Sequence, residues 1–395
     1  MTEEQDRELE LRIRAADQSL APSERKSAIS DLADYFKEDQ QWEKVPEVYL
    51  AAAEDSSIPN TLRHYCLREA AEWMCDVLSQ REESRLLMES AFSDPSSSAK
   101  DRFLAKEIYW EADDDRDRAN AVLESAIADP ESDHLIRASV RLKLTDWINI
   151  AEPERALQLC QDQIDDPESV PHNRTAARHA MSLTYRLHHR FDEELAVLQD
   201  DIDDPRSTPA EIAGSRGLLG ERLTKSDPVR AAEAFWHNIN DPNTPDEIRP
   251  LSRKTLIPIL RAEGKQSEVQ NQLKQLISDP GSTRSDKMEA MRAIADSLRS
   301  AGPEEAIAWY RQLLEQPEID LRNVVWAKRN IGLLLAESEP AAALAVLGEL
   351  ASDPRLPPFI QSTGLAYMQT VRAGEVTEEL IHSFDMTAPS RKDWP

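Results

Sequence analysis

The sequence predicts an all-α chain, an α-solenoid of about nine to ten helix-turn-helix repeats, and three observations lead there. Only 10 of 395 residues are glycine, roughly a third of ordinary usage, which leaves little for tight β-turns, Rossmann turns or phosphate loops. An Asp-Pro pair returns at a nearly constant interval, and a column of large side chains returns with it. Self-similarity of this kind marks stacked repeats.

The turn comes first. Its pair stands at Asp94–Pro95, Asp129–Pro130, Asp166–Pro167, Asp204–Pro205, Asp241–Pro242, Asp279–Pro280 and Asp353–Pro354. Gln316–Pro317 fills the one gap, and Asp55–Ser56 is a degenerate first copy. Proline has no N–H and pushes the residue before it out of the α region, so each pair stops a helix and opens a turn. Ser96, Ser132, Ser169, Ser207, Asn243 and Ser282 follow closely and supply turn and N-cap chemistry.

Two helices fit between successive turns. The second carries Ala119, Ala156, Glu194, Ala231, Val269, Ala306 and Ala343 in one column. Four residues on come Leu123, Cys160, Leu198, Phe235, Leu273, Tyr310 and Leu347; four further come Ile127, Ile164, Ile202, Ile239, Ile277, Leu314 and Ala351. A stripe at this spacing is the buried face of a helix about three turns long. The first helix carries Tyr35, Trp73, Trp110, Trp147, Tyr185, Leu223, Leu260, Leu298 and Leu335. At that position Trp73, Trp110 and Trp147 belong in the core rather than on a stacking platform.

The aromatic-to-alanine spacing, the step from alanine to a bulky residue, and the closing Asp-Pro resemble the tetratricopeptide repeat. In that family helix A ends in a tyrosine, helix B opens with an alanine and a proline closes the unit. Ala70, Ser182, Gly220, Ala295 and Gly332, three residues before the aromatic column, fit the family's glycine, where the two helices approach closely. The period is nearer 37 than the family's 34, the extra residues falling in the turn, and the tryptophan that opens the family's helix A is missing. The resemblance implies a right-handed superhelix: a capping helix over 1–20, a repeat array over 21–384 and a disordered tail over 385–395 carrying Trp394.

Catalytic chemistry has no constellation here, and no enzyme, cofactor or metal is expected. Gly214, Gly217 and Gly220 give GxxGxxG, but no lysine-serine cradle follows, so close helix packing explains the spacing. His179, His188 and His189 with Asp192 and Glu193 form the one histidine cluster, beside a turn where solvated side chains are the default. Asp113, Asp114 and Asp115 lack the alternation of a calcium loop and read as a solvated turn. Cys66, Cys75 and Cys160 form no CxxC pair, which suits a reducing, cytoplasmic setting.

Charge is the sharper signal. The resemblance implies a concave groove lined by helix A, six residues before and one after the aromatic column. Six before stand Ile29, Leu67, Leu104, Arg141, His179, Gly217, Lys254, Arg292 and Arg329; one after stand Phe36, Met74, Glu111, Ile148, Arg186, Thr224, Arg261, Arg299 and Ala336. The track is apolar at first and then basic, in a chain of net charge −27. Arg141, His179, Arg186, Lys254, Arg261, Arg292, Arg299 and Arg329 are therefore the expected groove, suited to an acidic segment or a C-terminal carboxylate of a partner protein. The competing reading has these cations paired with neighbouring acids on a solvated face. A second column, Arg25, Arg63, Arg102, Arg137, Arg174, Arg249 and Lys287, is expected to pair with the turn aspartates.

The expected function is a non-enzymatic protein-interaction scaffold. The alternative is a peptide-sensing regulator that changes superhelical pitch and acts through a separate output partner. The acidic total argues against nucleic acid, and the lack of a long apolar run against a membrane.

Overall fold

The computed structural model describes residues 3–377 and 380–381, and among them the only regular elements are twenty α-helices. The expected tail over 385–395, with Trp394, lies outside the described residues. The chain divides into two compact units, residues 1–207 and 208–395.

The first unit holds α1 (Glu3–Ala16), α2 (Pro22–Glu38), α3 (Lys44–Glu54), α4 (Asn60–Asp76), α5 (Arg81–Ser93), α6 (Ala99–Ala112), α7 (Arg116–Glu124), α8 (His134–Ile148), α9 (Pro153–Asp165), α10 (Pro171–Leu187) and α11 (Phe191–Asp203). The second holds α12 (Pro209–Leu223), α13 (Pro228–Asn240), α14 (Ile248–Ala262), α15 (Gln266–Ser278), α16 (Arg284–Leu298), α17 (Pro303–Leu314), α18 (Leu321–Leu334), α19 (Pro340–Ser352) and α20 (Pro358–Ala373). Within each unit every helix packs on its sequence neighbours, the pattern of a helical repeat.

The even-numbered helices from α2 onward are the first members of the hairpins and the odd-numbered ones the second. The second helices bury the columns expected of them: Ala119 and Leu123, Ala156 and Cys160, Ala231 and Phe235, Ala306 and Tyr310, and Ala343 and Leu347 are all closed to solvent. Close approach of the two helices is visible at two glycines. A methyl group on Gly220 would stand 2.7 Å from the Phe235 ring, and one on Gly332 would stand 2.5 Å from Leu347, so neither hairpin has room for a larger residue there.

The aromatic column departs from expectation at Trp147, which is half exposed while Trp110 is buried. Leu144 and Ile148 of α8 take the core-facing positions, so Trp147 is turned outward. It meets Trp110 edge-on at 5.2 Å, and the Arg116 guanidinium lies over both rings at 5.5 and 5.1 Å.

The repeated turn is built around its aspartate. In each copy the aspartate's main-chain carbonyl accepts from the residue three on, Ser132 to Asp129 at 3.0 Å and Ser169 to Asp166 at 2.9 Å. One carboxylate oxygen accepts from the N–H two residues on, Glu131 to Asp129 and Glu168 to Asp166, each at 3.0 Å. These bonds and the proline make a β-turn and an Asx-turn in one. The other oxygen faces the first helix of the same hairpin, where Arg102 reaches Asp129 at 2.8 Å and Arg137 reaches Asp166 at 3.1 Å. Arg102 and Arg137 also donate back to the preceding turn, to the Ser97 carbonyl at 2.6 Å and the Ser132 carbonyl at 2.7 Å. One side chain thus ties two successive turns together.

The second basic column therefore does pair with turn aspartates at Arg25, Arg102 and Arg137, on Asp55, Asp129 and Asp166. Farther along, Arg178 takes Asp204 at 2.6 Å, Arg216 takes Asp241 at 3.1 Å and Arg253 takes Asp279 at 3.5 Å. The acidic run is a solvated turn at Asp114 and Asp115, both exposed, but not at Asp113. Asp113 is buried and accepts from Arg118 at 2.7 and 2.6 Å, because Arg118 lies one turn into α7 and folds back over it.

Two predictions follow from this turn. Asp204→Ala should lower unfolding stability by about 2 kcal/mol, because buried Arg178 keeps Asp201 but loses its second carboxylate partner. Asp204→Asn keeps an acceptor for the Arg206 N–H and should cost less; urea midpoints decide both. Asp113 and Asp353 are held at about 2, chiefly by side-chain hydrogen bonds from Arg118 and Arg355. A depressed carboxylate stabilises the fold fully above its unfolded value, near ~3.9, and loses that contribution as pH falls through the folded value. Urea midpoints should therefore fall between about pH 4 and 2, and fall less steeply in Asp113→Asn.

Candidate functional site

The expected basic track lies partly in each unit. In the first unit Arg141 is buried and spends its guanidinium on Asp166 at 2.9 Å and Gln163 at 3.0 Å. His179 is half-buried with Asp201 at 3.9 Å, and burial lowers its pKa, which favours the neutral ring. Arg186, in the last turn of α10, forms no ion pair among the described residues. His188 is tied by Nε2 to the Asn149 carbonyl at 2.8 Å, and no group of three metal-binding side chains occurs among the described residues.

The apolar start of the track is covered by the chain itself. Ile29 and Phe36 are buried, and Leu11 and Ala15 of α1 pack on their cluster. A hollow of about 450 Å³ remains between α1, α2 and α3, with Arg12 and Lys44 over the Phe36 ring at 5.4 and 5.0 Å.

In the second unit, Lys254, Arg261 and Arg292 come together. α14 and α16 are the first helices of adjacent hairpins and α15 lies between them in sequence; the three border a hollow of about 570 Å³. Its floor is apolar, from Ile257, Pro258, Leu273, Leu276, Ala290 and Ala293. Lys254 is exposed and bonded to Asp286 at 2.6 Å, the residue that closes the capping box of α16 with Thr283. Arg261 is exposed, Arg292 is half-buried with its guanidinium 5.7 Å from the Trp326 ring, and neither forms an ion pair among the described residues. Glu289 and Asp296 also border the hollow, but Asp296 already accepts from the Tyr310 hydroxyl and from Trp326 Nε1 at 3.0 Å. Pro258 lies inside α14 and has no N–H for the Lys254 carbonyl one turn earlier, which leaves that acceptor outside the helix ladder.

Arg299 and Arg329 do not border this hollow. Arg329 is only 1 % exposed: its Nε donates to the Tyr367 hydroxyl at 3.2 Å, Nη1 to Asn330 at 3.0 Å and Nη2 to the Leu380 carbonyl at 2.8 Å. Arg299 donates from Nη1 to Asn330 at 3.3 Å and to the Ile381 carbonyl at 2.9 Å. Trp326, Pro258 and Tyr367 were not singled out by the periodicity. Only Pro258 leaves a mark in the sequence, as a proline inside an otherwise helical run.

The glycine triplet also divides. Gly220 makes the close packing described above, whereas a methyl group on Gly214 or Gly217 would meet nothing within 4 Å.

No protein-family model matches the chain, and no curated protein matches it. Two solved structures of human IFIT1 are similar, a dimer with PPP-AAAA and a dimer with m7Gppp-AAAA. Identity is 11 % and 12 %, coverage 95 % of this chain and 96 % of theirs, and the TM-scores are 0.33 and 0.32. At such scores the likeness adds nothing to the helical repeat described above.

The exclusion of nucleic acid expected from the composition is withdrawn; the ligands PPP-AAAA and m7Gppp-AAAA belong to the IFIT1 structures alone. The physical error lay in reasoning from total charge. A ligand senses charges within about 8–10 Å, the screening distance at physiological salt, and a net −27 says nothing of one groove. No described helix is long and apolar enough to cross a membrane.

Position in the fold separates two tests. Arg329→Glu buries a carboxylate against main-chain carbonyls and should lower stability by at least about 3 kcal/mol. Arg261→Glu, on an exposed turn, should change it by less than about 0.5 kcal/mol. Urea denaturation of the two variants checks this, and equal midpoints would contradict it.

Proposed function

We propose that this chain is a non-enzymatic interaction scaffold of tetratricopeptide-like hairpins that captures an acidic segment of a partner protein over α14–α16. One observation supports it most. Arg261 and Arg292, without ion pairs among the described residues, stand beside an apolar floor in a chain with a large excess of acid. A guanidinium bound to carboxylate by charge-assisted hydrogen bonds gains most where water is partly excluded. The aliphatic floor would take apolar side chains of the same segment. Cys66, Cys75 and Cys160 are unpaired and buried, and burial pushes the Cys66 thiol up to about 12, which suits a reducing, cytoplasmic setting.

The test uses the full chain and a fluorescein-labelled acidic dodecapeptide of alternating glutamate and leucine. Anisotropy should report binding that weakens about 10- to 100-fold, roughly 1.4–2.8 kcal/mol, in Arg261→Glu and in Arg292→Glu. Binding should also weaken as salt rises. A glutamine version of the peptide bound equally well would overturn the reading. A 5′-triphosphorylated oligoadenylate bound more tightly than the peptide would replace it with a nucleic-acid one.

A further inference from the structure

Gly214 and Gly217 of α12 lack the packing that explains Gly220. A helix interior disfavours glycine relative to alanine, and the chain gains no close approach in return at either position. Both border a hollow of about 170 Å³ between α12 and α14, with Leu218 and Phe235 in its lining. Leu251 of α14 borders it too and is 57 % exposed. Small-molecule sites begin at roughly 300 Å³, so this slot suits a single side chain. Glu221, exposed at the slot, disfavours a carboxylate there.

One wall carries a polar group that the fold leaves unfinished. Ser252 borders the slot, is 3 % exposed and donates its hydroxyl proton to nothing among the described residues. It only accepts, from Asn238 Nδ2 at a long 3.4 Å. Asn238 is closed to solvent and reaches the other wall through the Ala213 carbonyl at 2.8 Å. Its Oδ1 also has no partner among the described residues. Buried polar groups are normally paired, so an unused donor in the slot's wall marks a place for an acceptor from outside.

The slot is in register with the basic hollow. Gly217, Lys254 and Arg292 hold the same repeat position on α12, α14 and α16, so the slot precedes the hollow over α14–α16 by one repeat. Only α14 separates the two: Leu251 and Ser252 border the slot, and Lys254 and Arg261 border the hollow. A helix with its side chains is about 10–12 Å across, which an extended chain covers in about three residues.

We propose that the slot between α12 and α14 is an apolar subsite of this groove and takes a leucine-sized side chain of the acidic partner segment. That side chain stands about three residues from the carboxylate held by Arg261 and Arg292, and Ser252 donates to a main-chain carbonyl beside it. The subsite rests on the peptide-capture reading and adds a second requirement to it, an apolar anchor at a set distance. Gly214 and Gly217 are then small for the ligand, as Gly220 is small for Phe235.

Anisotropy with the full chain and the same glutamate–leucine dodecapeptide tests this, beside a version with alanine in place of leucine. The alanine peptide should bind wild type about 10-fold more weakly, as loss of one buried leucine contact requires. Gly217→Leu fills the slot; it should weaken the leucine peptide about 10-fold and change the alanine peptide less than twofold. It should also raise the urea midpoint, because it replaces a helical glycine in open space, which separates lost binding from lost folding. Gly217→Ala should weaken the leucine peptide about threefold, and it decides the matter should Gly217→Leu lower the midpoint. Leucine-peptide binding within twofold of wild type in a folded Gly217→Leu chain would overturn the slot. Lost binding in Gly217→Leu with none lost in Arg261→Glu would keep the slot and overturn the capture of acid. A wild-type chain that binds neither peptide overturns both.

Discussion

The aspartate of the repeated turn is the group on which the rest of the molecule depends. It works in three directions at once: its carbonyl closes the β-turn, one carboxylate oxygen holds the next N–H, and the other holds an arginine from the first helix of its hairpin. The last of these bonds sets how one hairpin sits on the next, because arginines such as Arg137 also grip the preceding turn. Neither backbone rigidity nor burial alone would fix that relation. The proline contributes a fixed φ and no N–H, so the turn cannot revert to helix. Glycine is then unnecessary at most of these turns, Gly281 against the Asp246 backbone being the exception, and its scarcity in the sequence follows from the choice of Asp-Pro.

That same use of charge explains why a chain of net −27 keeps so few cations open to a ligand. Arginines of the first helices are consumed by turns: Arg102 and Arg137 near the helix start and Arg178 in mid-helix are all committed to aspartates. Arg141 lies one helical turn beyond Arg137 and falls to the same carboxylate, Asp166. The track stays open where that geometry lapses. At Arg292 the turn that follows the hairpin carries Gln316 in place of aspartate, so no turn carboxylate is there to take it, and the guanidinium lies by Trp326 instead.

Periodicity made the architecture legible, and periodicity is also where legibility stops. The helices, their order, the buried alanine-to-bulky columns and the close approach at Gly220 and Gly332 repeat, so one sequence shows them several times over. The pairing of Arg25, Arg102 and Arg137 repeats as well and was readable for that reason. What was missed occurs once. Asp113 is buried because Arg118 happens to fold back over it, and Trp147 is turned out because Ile148 took the inward position. The hollow over α14–α16 is bordered by a single proline within a helix, Pro258, and by Arg292 lying against Trp326, and neither Pro258 nor Trp326 belongs to a column. The sequence could mark a track of cations, but burial and counter-ions decide which of them meet solvent, and those depend on neighbours that do not repeat.

Arg292 and Arg329 show how far that dependence goes. They occupy the same place in consecutive first helices, yet one borders an open hollow and the other is closed to solvent. The difference is not made by helix position, which is shared, but by what arrives from elsewhere in the chain. α20 brings Tyr367 against Arg329, and the segment after α20 brings the Leu380 carbonyl. A guanidinium in this track will therefore donate to main-chain carbonyl oxygens when polypeptide is at hand, at ordinary hydrogen-bond length and without requiring a carboxylate. It follows that acidity in a partner is needed for discrimination and for steering more than for the contact itself. The apolar floor beside Arg292 is then the feature that would distinguish a polypeptide segment from a simple anion.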